Sequence, residues 1–503
     1  MEIFSHLSEG MSVLMGINPI IIMTVGVVVG ILGGAMPGIS PSMAVALLLP
    51  FTFGMNPTMG IVMLCAIYLA LAANYGGSIT AVMINTPGTP SAVVTAFDGY
   101  PLAQQGKAGV GLGISLVASV VGGFIGIVIL ILFATPLAEV ALKFWPAEYF
   151  ALAIMGLTTV ASLGGGNWVE SFLAVLLGLL LNTMGMDHMT GSTRFTFDIV
   201  RLYDGFSFVP ALIGLFAISE VFANIERFDF QMEKIEVAEL KSVWPTLKDY
   251  LKLKWTMLRA GVLGTVIGIF PGAGGTIASF IAYDVEKRLS DTPESFGKGN
   301  PHGVAAAESA NSSSVGGALV PLLALGIPGS ASAAVLIGAL MIHDLRPGPE
   351  LFTRDPLLVY TLFSSLFVSN FILLALGAFG SRLWIKVSLV PKTILYPLIF
   401  VFSMIGSYAV RSSLFDIGVC FGFGVIGWIL NRYRYPVSPI VLGLVLGTMI
   451  ETNLRMTLMM GGASLFFTRP ISAVLLLISI LLIVWPFVAD MRDRKRQNST
   501  ARG

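Results

Sequence analysis

The 503-residue sequence predicts an all-α polytopic membrane protein. About twelve transmembrane helices are expected, in two inverted-topology repeats that each contain broken or re-entrant helices. Three observations carry this. Only 11% of residues are charged and 55% are hydrophobic, with a mean hydropathy of +0.86, whereas a globular domain carries about 25% charged residues. A pair of Pro-Gly motifs occurs once in each half, in the same order. Lys and Arg are distributed so that the two halves enter the membrane from opposite sides.

Residues 18–36 form the first apolar span, with Gly26, Gly30 and Gly34 on one helical face, where small side chains let another helix approach. It ends at Pro37-Gly38. The segment from Ser40 to Gly54 is short for a crossing and reads as a half-helix or a tilted span. After a span at 57–75, the stretch Gly76-Gly77 to Ala92 reads as a re-entrant hairpin or broken helix, because Pro87 and Gly88 interrupt an apolar run. Spans follow at 108–134, 147–163, 168–185 and 207–224, separated by a polar loop at 186–206.

The second half opens with Gly264-x-x-x-Gly268-x-x-Pro271-Gly272, matching Gly30-x-x-x-Gly34-x-x-Pro37-Gly38. Further on, Pro328-Gly329-Ser330-Ala331-Ser332-Ala333 matches Pro87-Gly88-Thr89-Pro90-Ser91-Ala92 as P-G-[ST]-x-S-A. A D-x-x-P follows each, at Asp98 to Pro101 and Asp344 to Pro347. Later spans lie near 357–379, 394–410, 414–430, 437–453 and 471–489. The chain therefore divides into a first membrane repeat with accessory helices (1–224), a linker (225–259), a second membrane repeat with accessory helices (260–490) and a basic tail (491–503).

Residues 1–106 contain no Lys or Arg, whereas the linker carries seven and the tail is basic. Positive charge marks cytoplasmic loops, so the linker and C-terminus are expected in the cytoplasm and the N-terminus outside. No basic n-region precedes the first span, so a cleaved signal peptide is not expected. The net charge of +1 excludes a nucleic-acid-binding chain, and no phosphate-binding G-x-x-x-x-G-K-[ST] supports ATP-driven pumping. Cys65 and Cys420 sit in apolar runs and read as buried free thiols.

Backbone broken inside a membrane survives only where protein or a water-filled cavity satisfies it, and matched breaks in two halves point to a transport site. Free N–H groups at a restarted helix suit a carboxylate, and hydroxyls add donors without fixed charge. The candidate substrate-binding residues are Asn85, Thr86, Pro87, Gly88, Thr89 and Ser91 from the first copy, Pro328, Gly329, Ser330 and Ser332 from the second, and Asn311, Ser312 and Ser313 between them. Gly88 and Gly329 are expected to supply backbone angles other residues avoid. Carbonyls near Pro37, Gly38, Ser40, Pro271 and Gly272 could coordinate a cation such as Na⁺. The blander readings are that the Pro-Gly pairs are kinks, that the Gly30/Gly34 and Gly264/Gly268 pairs only pack, and that the serines bond back to their helix. Asp98, Asp344 and Arg346 read as membrane-surface groups. Glu308 is the best carboxylate for proton coupling, although a solvated helix end is the simpler reading. His188 and His302 lack metal-site spacing, no transition-metal site is expected, and no nucleophile with a base partner marks an enzyme.

These residues resemble a known family. The two G-x-x-x-G-x-x-P-G elements, N-T-P-G-T-P-S-A at 85–92 and G-I-P-G-S-A-S-A at 326–333 resemble the large membrane subunit of tripartite tricarboxylate transporters, over residues 16 to 490. The resemblance implies a bacterial inner-membrane permease that imports tricarboxylates such as citrate, or related carboxylates. It implies coupling to Na⁺ or H⁺, no other cofactor, a small four-helix membrane subunit as partner and a periplasmic solute-binding protein that delivers substrate. The competing readings are a channel or scaffold subunit without its own substrate site, and an intramembrane enzyme.

Overall fold

The computed structural model describes residues 2–36, 39–72, 75–163, 168–187, 189–226, 244–387 and 392–484. Pro37, Gly38, His188, linker residues 227–243 and the tail lie outside the described residues. Apart from a two-strand hairpin, Gly185–Met186 with Thr193–Arg194, the regular structure among them is helical. Eight helices among them are long and apolar enough to cross a membrane, and four shorter apolar helices accompany them. Cys65 and Cys420 are buried and free.

The chain divides into two compact units. One comprises Met1–Glu139 with Val209–Trp428, the other Val140–Phe208 with Ile429–Gly503. The first unit holds both Pro-Gly motifs. Its helices pack backbone to backbone through glycine. A Cβ on Gly26 of the Ile17–Ala35 helix would lie 2.9 Å from the carbonyl of Met63 in the Pro57–Ala72 helix. In the Lys254–Ile269 helix, a Cβ on Gly264 would lie 2.2 Å from the Ala310 carbonyl, and one on Gly268 2.4 Å from that of Ser314. The Gly26/Gly34 and Gly264/Gly268 faces are thus packing faces.

Local signals explain the shorter helices. Ser40 caps Pro41–Leu48 by accepting from the Met43 amide at 3.2 Å, with Pro41 opening the helix, where no intrahelical donor is needed. A 3₁₀ turn, Leu49–Thr52, ends this half-helix. Asn300 and Pro301 start the long Pro301–Leu325 helix in the same way. That helix is buried from Gly303 to Leu325, so it runs through the middle of the unit.

The second unit contains the Pro146–Leu163, Trp168–Asn182 and Ser438–Gly461 helices. A Cβ on Gly178 would lie 2.2 Å from the Ile440 carbonyl, which places two backbones in contact. The polar loop is tied down by ions: Arg455 Nη1 lies 2.7 Å from Asp187 Oδ2, and Arg194 Nη1 lies 2.6 Å from Glu451 Oε1. Amides of Met189 and Thr190 also donate to Asp187 Oδ1. These two amides first, and Arg455 after them, hold the Asp187 carboxyl well below the usual carboxylate range.

Candidate functional site

The two Pro-Gly motifs occupy equivalent breaks between helices. The first lies between Tyr75–Ile84 and Ala92–Gln104, the second between Pro301–Leu325 and Ala331–Ile342. Their backbone bonds match position for position. Thr86 N donates to Thr80 O at 3.3 Å, and Ile327 N to Pro321 O at 3.2 Å. Gly88 N donates to Gly77 O, and Gly329 N to Ala318 O, both at 3.4 Å. Asn85 (φ 51°) and Gly326 (φ 74°) each turn left-handed two residues before the proline, ending the preceding helix.

This corrects the expected role of Gly88 and Gly329. Neither has a positive φ; the strained angle belongs to Asn85 and Gly326. Gly88 and Gly329 are instead dictated by space. A Cβ on Gly88 would lie 2.2 Å from the Gly34 carbonyl, and one on Gly329 would lie 2.5 Å from the Gly268 carbonyl. Each tip therefore rests on the second glycine of its own half's G-x-x-x-G-x-x-P-G element. The helices before the tips dock likewise: a Cβ on Gly76 would meet the Ile31 carbonyl at 2.3 Å, and one on Gly317 the Thr265 carbonyl at 2.2 Å.

The candidate side chains divide into accessible and packed sets. Asn85 and Thr86 are exposed, Pro87 is half-buried, and Gly88, Thr89 and Ser91 are buried. Thr89 and Ser91 hydroxyls lie 3.4 Å apart. In the second copy Pro328 and Gly329 are buried, while Ser330 and Ser332 are partly exposed. Ser330 Oγ accepts from the Ala333 amide at 3.1 Å, capping the restarted helix, and lies 3.5 Å from the Tyr68 hydroxyl. Asn311, Ser312 and Ser313 are buried within Pro301–Leu325. Ser313 Oγ donates to Ala310 O, and Ser314 Oγ to Asn311 O, so these two hydroxyls bond back to their helix.

The second-half residues converge. Gly272 N donates to Gly329 O at 3.1 Å, joining the Pro271-Gly272 break to the second tip. A Cβ on Gly275 would lie 2.1 Å from Asn311 Oδ1, so Asn311 fills the notch behind that break. Of the candidate cation ligands, Pro271 is buried, Gly272 is left-handed (φ 84°) and half-buried, and Ser40 caps its helix; Pro37 and Gly38 lie outside the described residues. Clefts of 400 and 340 Å³ occur elsewhere, lined by residues such as Asn18 and Asn56, and Thr58 and Arg354; no tip residue lines either.

Two acidic residues depart from expectation. Asp98 is not a surface group but fully buried. Its Oδ1 accepts from the amides of Gly297, Gly299 and Asn300 at 2.9, 2.9 and 2.7 Å, and Oδ2 accepts from the Tyr283 hydroxyl at 2.8 Å. It therefore fastens the Ala92–Gln104 helix to the loop that starts Pro301–Leu325. Asp344, its D-x-x-P counterpart in sequence, is exposed in a left-handed turn, as is the nearby Arg346 exposed, so the two D-x-x-P elements are not structural equivalents. Glu308 is not a solvated helix end either. It is 1% exposed in the middle of Pro301–Leu325 and accepts from Thr95 and Ser119 hydroxyls. Sequence reasoning missed Thr95, Ser119 and Tyr68. Their only signal was a lone polar group in a small or apolar run, and nothing in the order of residues pairs them with partners about two hundred positions away.

The profile of the tripartite tricarboxylate transporter TctA family matches residues 20–442. The chain belongs to this family. A relative from Agrobacterium vitis, described as an uncharacterized 52.8 kDa protein in the TAR-I ttuC' 3' region, is 37% identical over 497 residues, 98% of either chain. A second Agrobacterium vitis protein, described as uncharacterized and in the TAR-II ttuC' 3' region, is 36% identical over 236 residues, 46% of this chain and 98% of its own. No solved structure matches the chain significantly. Family membership makes this a multi-pass membrane subunit of a tripartite transporter family.

Proposed function

We propose that this chain is the membrane subunit through which a tripartite system imports a carboxylate, of the tricarboxylate class or related to it, with a cation gradient as driving force. The observation that carries the proposal is the matched pair of broken-helix tips. Each tip is followed by a helix start, at Ala92 and Ala331, whose positive dipole end suits an anionic oxygen, although Ala92 N already donates to Thr89 O and Ala333 N to Ser330 Oγ. Thr89 and Ser330 supply hydroxyls, and so does Thr86 once its hydroxyl turns from the Ile84 carbonyl, to which it donates at 3.2 Å. The two tips, residues 85–92 and 326–333, contain no Lys or Arg, which suits a substrate that must be released as well as captured.

In this reading the two repeats are inverted, about twelve segments cross the bacterial inner membrane, and the linker and tail face the cytoplasm. Residues 1–106 without Lys or Arg against a basic linker support that orientation. A periplasmic binding protein delivers the carboxylate, and a small membrane subunit completes the complex. A coupling Na⁺ would sit beside the Pro-Gly breaks, near Ser40 on one side and Pro271-Gly272 on the other. The test is uptake of labelled citrate, then a panel of di- and tricarboxylates, into proteoliposomes holding the whole tripartite complex. Saturable, gradient-dependent uptake supports the proposal. Non-saturating conductance, or no uptake of any carboxylate, overturns it.

A further inference from the structure

Glu308 is a buried carboxylate that the tip architecture leaves without a task. It lies at the junction of four helices: Tyr75–Ile84, Ala92–Gln104, Ala108–Ala141 and its own Pro301–Leu325. Each of the first three supplies one hydroxyl. Thr95 Oγ1 donates to Oε1, Ser119 Oγ donates to Oε2 at 2.8 Å, and Ser78 contributes a third side-chain hydrogen bond. The groups contacting Glu308 among the described residues include no Lys, Arg or His. The other titratable groups near this junction already have partners. Asp98 holds Tyr283 and three amides, Glu286 pairs with Arg259, His302 lies 2.7 Å from the Thr256 hydroxyl, and Tyr75 donates to the Gly377 carbonyl.

An ionised carboxylate removed from water and paired with no cation is costly, and such a group either gains a proton or a counter-ion. The packing decides between them. A Cβ on Gly122 of the Ala108–Ala141 helix would lie 2.1 Å from the Ser309 carbonyl, and one on Gly126 would lie 2.5 Å from that of Ser313. The helix backbones touch on this side of Glu308, which leaves room there for a proton on a carboxyl oxygen and not for a cation with its own ligand shell. Glu308 also lies one helical turn before Asn311, on the same helix face, and Asn311 fills the notch behind the Pro271-Gly272 break.

We propose that Glu308 is the proton-binding site of this transporter, and that its protonation and carboxylate binding favour one another. The inference rests on the transport reading above. A charged Glu308 repels an anionic substrate held at the tips, the second of which bonds Ala318, ten residues or about 15 Å further along the same helix, and a neutral one does not. The linkage is reciprocal: a proton raises carboxylate affinity and carboxylate raises proton affinity, by a factor in the usual range of about 5–150. On protonation one carboxyl oxygen becomes a donor, and a hydroxyl such as Ser119 can rotate from donating to accepting.

Two measurements test this, and they fail separately from the transport reading. The first is infrared difference spectroscopy of the purified chain across the physiological pH range, with Glu308→Gln as reference. A protonated-carboxyl C=O band that grows on acidification and is missing in Glu308→Gln supports the proposal. A Glu308 band that never forms, that never titrates, or that responds to Na⁺ and not to pH overturns it. Because other carboxyls such as Asp98 and Glu286 are also buried, Ser119→Ala is a second reference: losing the hydroxyl on Oε2 should shift the frequency and midpoint of the Glu308 band, and a titrating band that neither variant alters belongs to another carboxyl and overturns the proposal. The second uses proteoliposomes of the full complex. Citrate-driven proton entry in wild type, lost in Glu308→Gln, supports the proposal. Uptake of citrate by wild type with no proton movement overturns it while leaving the transport function standing. If no carboxylate of the panel is taken up, the transport reading falls, and the infrared result still decides whether Glu308 exchanges a proton.

Discussion

Adding one methyl group at each tip is the sharpest test of why Gly88 and Gly329 are glycine. In Gly88→Ala the new Cβ would sit 2.2 Å from the Gly34 carbonyl oxygen and 2.8 Å from Gly77 Cα. In Gly329→Ala it would sit 2.5 Å from the Gly268 carbonyl and 2.6 Å from Ala318 Cα. All four obstacles are backbone atoms of packed helices, which cannot swing aside as a side-chain end can. An ordinary carbon–oxygen contact needs more than 3 Å of separation, so each tip must lift from its helix by about 1 Å. Overpacking of this kind costs about 1–3 kcal/mol, a factor of roughly 5–150 in the population of the native tip. The assay is the initial rate of carboxylate uptake in proteoliposomes at matched protein content. Gly54→Ala is the control, because a Cβ there meets nothing within 4 Å. Both tip variants should lose about tenfold or more in uptake rate while Gly54→Ala keeps the wild-type rate. Wild-type transport in Gly88→Ala and Gly329→Ala would refute the reasoning, since it would mean the tip-to-helix contacts are not needed for carriage.

Asp98→Ala leaves three amides and one tyrosyl hydroxyl without their acceptor; with about 1–3 kcal/mol for each buried donor left unpaired, the detergent-solubilised protein should melt several degrees lower, and an unchanged melting curve would contradict the role assigned to Asp98. The Asp187 carboxyl is depressed by the Met189 and Thr190 amides and by Arg455, so its contribution is complete above the unfolded value of about 4 and is lost as pH falls below it. Limited proteolysis of the 186–206 loop should therefore be unchanged from neutral pH down to about 4 and accelerate only in stronger acid, whereas Asp187→Asn should be cut faster at neutral pH; equal cutting of variant and wild type would remove the anchor.

Much of the architecture was legible because it is local. Low charge and long apolar runs announce membrane helices, and Pro87, Pro328 and the residues before them announce breaks wherever they occur. The paired Pro-Gly breaks were legible because both halves reuse the same residues at the same steps. What resisted reading was long-range pairing. Gly88 looks like a residue chosen for its backbone angle, and only the Gly34 carbonyl beneath it shows that it was chosen for its size. Asp98 and Glu308 look like surface carboxylates, because acidic residues usually are; the amides of 297–300 and the hydroxyls of Thr95 and Ser119 that bury them come from elements remote in sequence. Asn85 had a signal that was available, since Asn tolerates the left-handed turn that Gly326 supplies in the other copy.

The central claim is that the two tips together hold the transported carboxylate. Its most direct test places single cysteines at Thr86 and Ser330, which are accessible positions, in a chain where Cys65 and Cys420 are buried, and follows their alkylation in the reconstituted complex. The carboxylate that is taken up should slow labelling of both cysteines, with half-protection at the concentration that half-saturates uptake. Continued uptake with neither cysteine protected would contradict the account.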